Sequence, residues 1–163
     1  MNKKILYLDM DGVIADFDKA IKILCPGLQT GDEAPDYEGR ADKVDEICEI
    51  NREIFHTLPP IEGAIDSTKR LFEIYDLFFL STPMDNVPES FTGKRIWLRE
   101  HFGDLAKKRL ILTHRKDFNI GHFLVDDRLR NGAGEFKGEH IHFGTPKYPN
   151  WDVTLKYLES VHK

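Results

Sequence analysis

Five short apolar segments recur along the chain, each too short for a buried helix. Their apolar residues run together without strict alternation, which is typical of strands in a parallel sheet covered on both faces. Polar or glycine-containing stretches flank these segments. The predicted strands are Lys4–Asp9, Asp76–Ser81, Arg109–Thr113, His122–Asp126 and His140–Phe143.

Amphipathic stretches separate most of these segments. Apolar residues spaced three or four apart predict helices with one buried face, and proline or glycine marks several of their ends. The predicted helices are Asp16–Leu24, Ala41–Leu58, Gly63–Tyr75, Gly93–Phe102 and Trp151–Val161, with loops at Gln29–Gly39 and Pro83–Thr92. Strands that alternate with helices favour a Rossmann-like three-layer α/β/α fold with a parallel sheet and right-handed crossovers.

The stretch between the first two strands departs from this alternation. Residues 18–60 contain predicted helices and loops but no predicted strand. We therefore expect a small helical cap at 18–60, inserted after the first strand. The core domain would consist of residues 1–17 and 61–163.

Composition and charge limit the classes of partner. The 163-residue chain carries a net charge of -5, which does not favour a polyanionic partner such as a nucleic acid polymer. A small phosphate ester stays compatible, because a few local cations can bind it. The two cysteines are not spaced as metal ligands are, and the sequence shows neither a signal peptide nor an apolar run long enough to span a membrane. We therefore predict a cytoplasmic protein. A homodimer is compatible with the sequence.

Polar residues stand where the apolar segments end. Asp9, Ser81, Thr113 and the pair Asp126 and Asp127 each follow a predicted strand. Ligands of open parallel sheets bind outside the carboxyl ends of the strands. The sequence therefore predicts that these side chains meet at one edge of the sheet.

The carboxylates among them indicate phosphoryl chemistry. Asp9 and Asp11 flank Met10 in a tight turn that Gly12 permits. Two carboxylates this close repel unless a cation lies between them or one of them keeps a proton. A site with few carboxylates suits Mg²⁺, which also binds phosphate. One carboxylate can attack phosphorus, and a second can move the protons of the leaving oxygen and of water.

Three short motifs carry a family resemblance. The octapeptide Asp9–Asp16 resembles the first signature motif of haloacid dehalogenase-like (HAD) phosphatases. Leu80–Pro83 resembles the second motif, and Leu124–Arg128 resembles the fourth. Within that superfamily the chain is most similar to the 5'(3')-deoxyribonucleotidases. The stretches that support this are Leu58–Ala64, Lys94–Gly103 and Ile111–Thr113.

The resemblance implies catalytic and metal-binding roles. Asp9 would be the nucleophile and a Mg²⁺ ligand. Asp11 would be the general acid/base and would contribute its main-chain oxygen to the metal. Asp126 and Asp127 would complete the metal site. One of them would bind the metal directly, and the other would bind it through a water molecule or directly.

The resemblance also implies residues that bind phosphate. Ser81 and Thr82 would hold the phosphoryl group. Lys94 matches the third-motif lysine of the family, whereas Lys116 lies just after the third strand, where other phosphatases of the superfamily place it. We favour Lys94 and keep Lys116 as the alternative.

Aromatic residues have two interpretations. Phe17 matches an aromatic position near the substrate in the subfamily, and it could stack on a nucleobase or pack between cap and core. Phe55 has the same alternatives, with packing favoured. Trp97 is expected in the core. His140 and His142 share one face of a strand, but zinc would need further ligands that the sequence does not identify.

The predicted activity is hydrolysis of a phosphate monoester through an aspartyl-phosphate. A deoxyribonucleoside monophosphate is the preferred substrate on the basis of the resemblance. Three alternatives stay open: a phosphatase for another small ester, a phosphotransferase, and a non-catalytic phosphate-binding protein.

Overall fold

Five parallel strands form the centre of the protein. The computed structural model describes residues 3–28 and 40–163. The strands are β1 (Ile5–Leu8), β2 (Asp76–Ser81), β3 (Leu110–Leu112), β4 (Phe123–Asp126) and β5 (Glu139–His142). Their order across the sheet is β3-β2-β1-β4-β5, and every neighbouring pair is parallel. This order places the end of β1 at the centre of the sheet edge, beside the ends of β2 and β4.

The helices follow the predicted order with two corrections. They are α1 (Phe17–Leu24), α2 (Arg40–Ile50), α3 (Ile54–Thr57), α4 (Ala64–Ile74), α5 (Glu89–Phe102) and α6 (Trp151–Val161), together with short 3-10 turns at Gly103–Ala106 and Lys116–Phe118. The predicted loop Gln29–Gly39 lies outside the described residues.

The single helix predicted over Ala41–Leu58 is wrong, because two helices occupy this stretch. The Asn51 side chain donates a hydrogen bond to the carbonyl oxygen of Ile47 at 2.8 Å. A side chain that bonds the backbone locally competes with the helical pattern. Residues 51–53 therefore separate α2 from α3.

The predicted start of α5 at Gly93 is also wrong, since the helix begins four residues earlier at Glu89. Ser90 Oγ accepts a hydrogen bond from the backbone N–H of Met84 at 2.9 Å and donates one to the carbonyl oxygen of Met84 at 3.1 Å. Pro88 precedes the helix and cannot donate a backbone hydrogen bond. Both prolines of the predicted loop therefore lie before the first residue of the helix.

One face of the sheet is covered by α4, α5 and α6. Leu6 and Leu8 of β1 are fully buried against a cluster that includes Leu71, Trp97 and Leu158, one from each helix. The prediction that Trp97 belongs to the core is confirmed.

The other face is covered by turns. Tyr7 and Leu124 pack there against Ala133 and Phe136, and the rings of Tyr7 and Phe136 meet edge to face with centroids 6.0 Å apart. Tyr7 also donates its hydroxyl hydrogen to the carbonyl oxygen of Ile120 at 2.9 Å. The Rossmann-like α/β prediction is confirmed, with this third layer made of turns instead of α-helix in the part of the chain described.

The insert after β1 contains α1, α2 and α3. Its two ends are joined by hydrogen bonds from Asp16 N to Pro59 O at 2.8 Å and from Ile61 N to Ile14 O at 2.9 Å. Domain boundaries at 18 and 60 stay a prediction. Within 3–28 and 40–163, none of the helices combines the length and apolar character that crossing a bilayer requires.

Candidate active site

A tight turn after β1 presents two carboxylates. The Asp9 backbone N–H donates to Val125 O at 2.9 Å, which fixes the nucleophile candidate against β4. Gly12 has a φ of +80°, and a Cβ placed there would lie 2.2 Å from Oδ2 of Asp127. Any larger residue would displace the Asp127 carboxylate, so this turn requires glycine.

Lys116 lies between two buried carboxylates. Its Nζ is 3.0 Å from Asp9 Oδ1 and also forms an ion pair with Asp126. Burial alone would raise the pKa of Asp9, but the positive charges of Lys116 and Lys94 lower it below its usual range. Asp9 is therefore held as an anion, which is the form a nucleophile needs.

Three carboxylates meet where a divalent cation would fit. Asp9, Asp126 and Asp127 each place one oxygen within 4.8 Å of the others. Burial, followed by the negative charge of Asp9, raises the pKa of both Asp126 and Asp127. Asp127 Oδ1 is buried and has no hydrogen-bond partner among the described residues. An oxygen-only donor set with an unsatisfied buried carboxylate oxygen suits Mg²⁺.

Asp11 belongs to a separate pair. Its Oδ2 lies 2.5 Å from Lys94 Nζ, and Asp11 is not part of the carboxylate group just described. Lys94 is 1% exposed, and its Nζ lies 5.7 Å from the ring centroid of Phe55. Lys94 thus faces the second carboxylate of the turn, whereas Lys116 faces the first.

The hydroxyl groups at the ends of β2 and β3 differ in the hydrogen bonds that they already form. Ser81 ends β2, is buried, and its Oγ has no partner among the described residues. Thr82 already donates its hydroxyl hydrogen to Thr113 O at 2.8 Å. The Thr113 hydroxyl accepts a hydrogen bond from Arg115 N at 2.9 Å. The hydroxyl hydrogen of Thr82 is therefore used within the protein, whereas the Ser81 hydroxyl has no partner among the described residues and can donate to a ligand.

A cavity of about 490 Å³ brings most of the predicted residues together. The predicted site residues that line it are Asp9, Asp11, Phe17, Ser81, Thr82, Lys116 and Asp126. Lys94 and Asp127 are not among its lining residues. Phe17 stacks on Phe55 with ring centroids 6.1 Å apart, and both residues also line the cavity. Both interpretations of Phe17 stay compatible with this position.

Comparison with known proteins decides the family. The model of the family described as 5' nucleotidase, deoxy (pyrimidine), cytosolic type C protein, matches residues 40–155. A protein of Vibrio phage KVP40, assigned by its name as a 5'(3')-deoxyribonucleotidase, is 44% identical and covers 99% of this chain and 88% of its own length. The chain belongs to this nucleotidase family. The predicted resemblance and the predicted class, a phosphoric monoester hydrolase, are confirmed.

More distant relatives of the nucleotidase agree with this result. A 5'(3')-deoxyribonucleotidase of Bacillus subtilis is 27% identical, with 96% of this chain and 94% of its own covered. A solved haloacid dehalogenase-like family hydrolase from Xanthomonas campestris has a TM-score of 0.60 at 10% identity, with 99% and 96% covered. The second comparison supports the HAD-like fold of the nucleotidase.

Several cavity-lining residues of the nucleotidase were not predicted as site residues from the sequence. These residues are His114, Arg128 and Arg130, together with Asp45 from α2 of the insert. The first three follow β3 or β4, so the rule that ligands bind beyond strand ends could have identified them. Asp45 carries no comparable signal, because its position depends on how α2 packs over the core.

Proposed function

We propose that this nucleotidase is a Mg²⁺-dependent 5'(3')-deoxyribonucleotidase that hydrolyses nucleoside monophosphates through an aspartyl-phosphate on Asp9. The observation that carries the proposal is the position of Asp9. Its carboxylate lies beside Lys116, within one cluster of carboxylates, and on the wall of a cavity. An anionic nucleophile beside a cation and a metal site is the arrangement that phosphoryl transfer requires.

Asp9, Asp126 and Asp127 would hold the cation, with the main-chain oxygen of Asp11 as a further ligand. The ion would supply positive charge that offsets the negative charge of the phosphoryl oxygens. The raised pKa of Asp126 and of Asp127 supports this assignment, since a bound divalent cation relieves the repulsion among buried carboxylates.

Covalent catalysis by Asp9 would proceed in two displacements. A carboxylate oxygen of Asp9 forms a bond to phosphorus as the ester bond to the leaving oxygen breaks. Asp11 donates a proton to that oxygen, and its Oδ1, which has no partner among the described residues, would carry that proton. Asp11 then accepts a proton from water, whose oxygen bonds to phosphorus and releases inorganic phosphate and free Asp9.

Lys116 and Ser81 would bind the phosphoryl oxygens. Both line the cavity, and the Ser81 hydroxyl has no competing partner among the described residues. Thr82 would contribute mainly through its backbone, because its hydroxyl is bonded to Thr113. Lys94 would hold Asp11 in place, which reverses the preference between the two lysines that the sequence suggested.

The leaving group would lie against the cap. Phe17, Val44 and Phe55 give this side of the cavity an apolar wall that suits a flat nucleobase. The deoxyribonucleotidase names of the relatives support the same substrate class. A cytoplasmic location fits this proposal, and the free thiols of Cys25 and Cys48 support a reducing compartment.

A panel of phosphomonoesters tests the proposal. Deoxyribonucleoside 5'- and 3'-monophosphates, ribonucleotides, sugar phosphates and an aryl phosphate are compared with Mg²⁺ and with a chelator. We expect the highest kcat/KM for deoxyribonucleotides, loss of turnover with chelator, and loss of turnover in Asp9→Asn. Phe17→Leu should raise KM for nucleotides and leave KM for deoxyribose 5-phosphate unchanged. Turnover by Asp9→Asn would refute the nucleophile assignment, and equal use of all esters would refute the substrate class.

A further inference from the structure

The turn that follows β4 is fixed by three hydrogen bonds, one from within the turn and two from adjacent residues at the end of β5. Asp126 Oδ1 accepts from Arg128 N at 2.9 Å, and Asp126 O accepts from Phe143 N at 2.9 Å. The third bond joins the carbonyl oxygen of Asp127 to Nε2 of His142 at 3.0 Å. The first two hold Asp126, whereas the side-chain bond from His142 holds the Asp127 peptide.

His142 is itself held at this position. It lies opposite Asp126 in the parallel register of β4 and β5, and its ring stacks on His140 with centroids 5.4 Å apart. Its own carbonyl oxygen accepts a hydrogen bond from Thr145 Oγ1 at 2.7 Å. A carbonyl oxygen can only accept, so Nε2 of His142 must carry the proton in this contact.

The Asp127 carboxylate has little freedom once its peptide is fixed. It packs so closely on Gly12 that a Cβ there would lie 2.2 Å from Oδ2. Its Oδ1 is buried without a partner among the described residues, within the carboxylate group that suits a cation. Rotation of the Asp127 peptide would move this carboxylate away from Asp9 and Asp126.

We propose that His142 is a positioning residue for the cation: its Nε2–H fixes the Asp127 peptide so that the carboxylate points into the metal site. This inference rests on the proposed function, because it takes the three carboxylates as the Mg²⁺ ligands. His142 belongs neither to the cavity lining nor to the carboxylate group, so it would act through Asp127 alone. Outer residues that orient metal ligands commonly change metal affinity about 10- to 100-fold when they are replaced.

Two substitutions test the hydrogen-bond donor of His142 separately from its aromatic ring. His142→Phe keeps a ring that can stack on His140 but removes the donor. His142→Gln loses the ring but places an amide N–H donor at a similar distance. Titration calorimetry with MgCl₂, in the absence of substrate, measures the affinity directly.

We expect His142→Phe to raise the Kd for Mg²⁺ about tenfold and His142→Gln to stay within about twofold of the unmodified protein. At saturating Mg²⁺, kcat should be close to that of the unmodified protein in both. His162→Gln is the control, because the described contacts of that histidine are with Glu159 and Tyr75, and its Kd should not change. An unchanged Kd in His142→Phe, or an equal loss in His162→Gln, would overturn the inference.

A further test uses the unmodified protein, so that it does not depend on a variant that folds. The ¹⁵N chemical shifts of the His142 ring should show Nε2 protonated at neutral pH, and an unprotonated Nε2 would overturn the inference.

Failure of the proposed function can be distinguished from failure of the role proposed for His142. If the unmodified protein binds no Mg²⁺, the proposed metal site fails and the role of His142 fails with it. If that protein binds Mg²⁺ and His142→Phe binds it equally, only the role of His142 fails.

Discussion

The Nζ atom of Lys116 lies 3.0 Å from Asp9 Oδ1, although the two residues come from different strand ends. The backbone N–H of Lys116 donates to Asn131 O at 2.8 Å, so two loops of the core fix this lysine together. The contact matters because it neutralises a buried carboxylate at the place where the phosphoryl group would bind.

Replacement of Lys116 should impair phosphate binding more than replacement of Lys94. We expect Lys116→Ala to lower kcat/KM about 100-fold or more and to weaken inhibition by inorganic phosphate, because a cation beside the transferred group is lost. Lys94→Ala should lower kcat while the inhibition constant for phosphate stays within about twofold. Steady-state kinetics with added phosphate measures both, and Lys107→Ala is an exposed control. Weakened phosphate inhibition in Lys94→Ala alone would restore the preference for Lys94.

Asp11→Asn should separate the two chemical steps. Asn can still accept the hydrogen bond from Lys94, but it cannot donate or accept the catalytic proton. We expect nucleotide turnover to fall about 100- to 10,000-fold. With 4-nitrophenyl phosphate, whose leaving group needs no proton, the first step should continue while hydrolysis of the aspartyl-phosphate becomes slow.

Rapid mixing should therefore show a nitrophenolate burst in Asp11→Asn that matches the enzyme concentration. Asp85→Asn is a suitable control, since Asp85 also lines the cavity but is exposed and has no assigned role. Absence of a burst, with equal losses for both substrates, would contradict the role of Asp11 as general acid/base.

Several features were predictable because they depend on local pattern. The bounds of β2 and α6 match the prediction residue for residue, since each is an apolar pattern bounded by polar or turn residues. The grouping of Asp9 with Asp126 and Asp127 also followed, because parallel strands bring their carboxyl ends to one edge.

Other features depend on contacts between distant residues. The start of α5 is fixed by hydrogen bonds between Ser90 and Met84, which lie six residues apart. The lysine that faces Asp9 depends on how the loop after β3 meets Asn131. Neither contact leaves a periodic signal in the sequence, so the ranking of Lys94 over Lys116 rested on motif similarity alone.

Asp127→Asn should stabilise the metal-free protein while it weakens Mg²⁺ binding. Burial and the charge of Asp9 raise the pKa of Asp127, so its anionic form is disfavoured in the folded state. Removing this charge should raise the free energy of unfolding without Mg²⁺ by about 1–2 kcal/mol. In the unmodified protein, Mg²⁺ at 100 times its Kd should add about 2.7 kcal/mol, and most of this gain should be lost in Asp127→Asn.

Thermal denaturation with and without Mg²⁺ measures both effects, and Asp85→Asn again serves as the control for a change in net charge. A lower melting temperature of metal-free Asp127→Asn would mean that this carboxylate stabilises the fold, which would count against its assignment as a metal ligand.

Gly93→Ala should loosen the contact between α3 and α5. A Cβ at Gly93 would lie 2.7 Å from Cβ of Phe55 and 3.1 Å from its backbone carbonyl carbon, so α3 would have to move away from α5. In an open helix the same change stabilises by about 1 kcal/mol. Here we expect a net loss of about 1–3 kcal/mol in the free energy of unfolding, because overpacking outweighs the gain in helix propensity.

The displacement of Phe55 should also disturb its stacking on Phe17 and raise KM for nucleotides more than KM for an aryl phosphate. Urea denaturation and steady-state kinetics measure these effects. Thr92→Ala, on the exposed side of α5, should change stability by no more than about 0.5 kcal/mol. A Gly93→Ala protein that is as stable as the unmodified one would show that α3 moves freely against α5, and the position of α3 would then not depend on this contact.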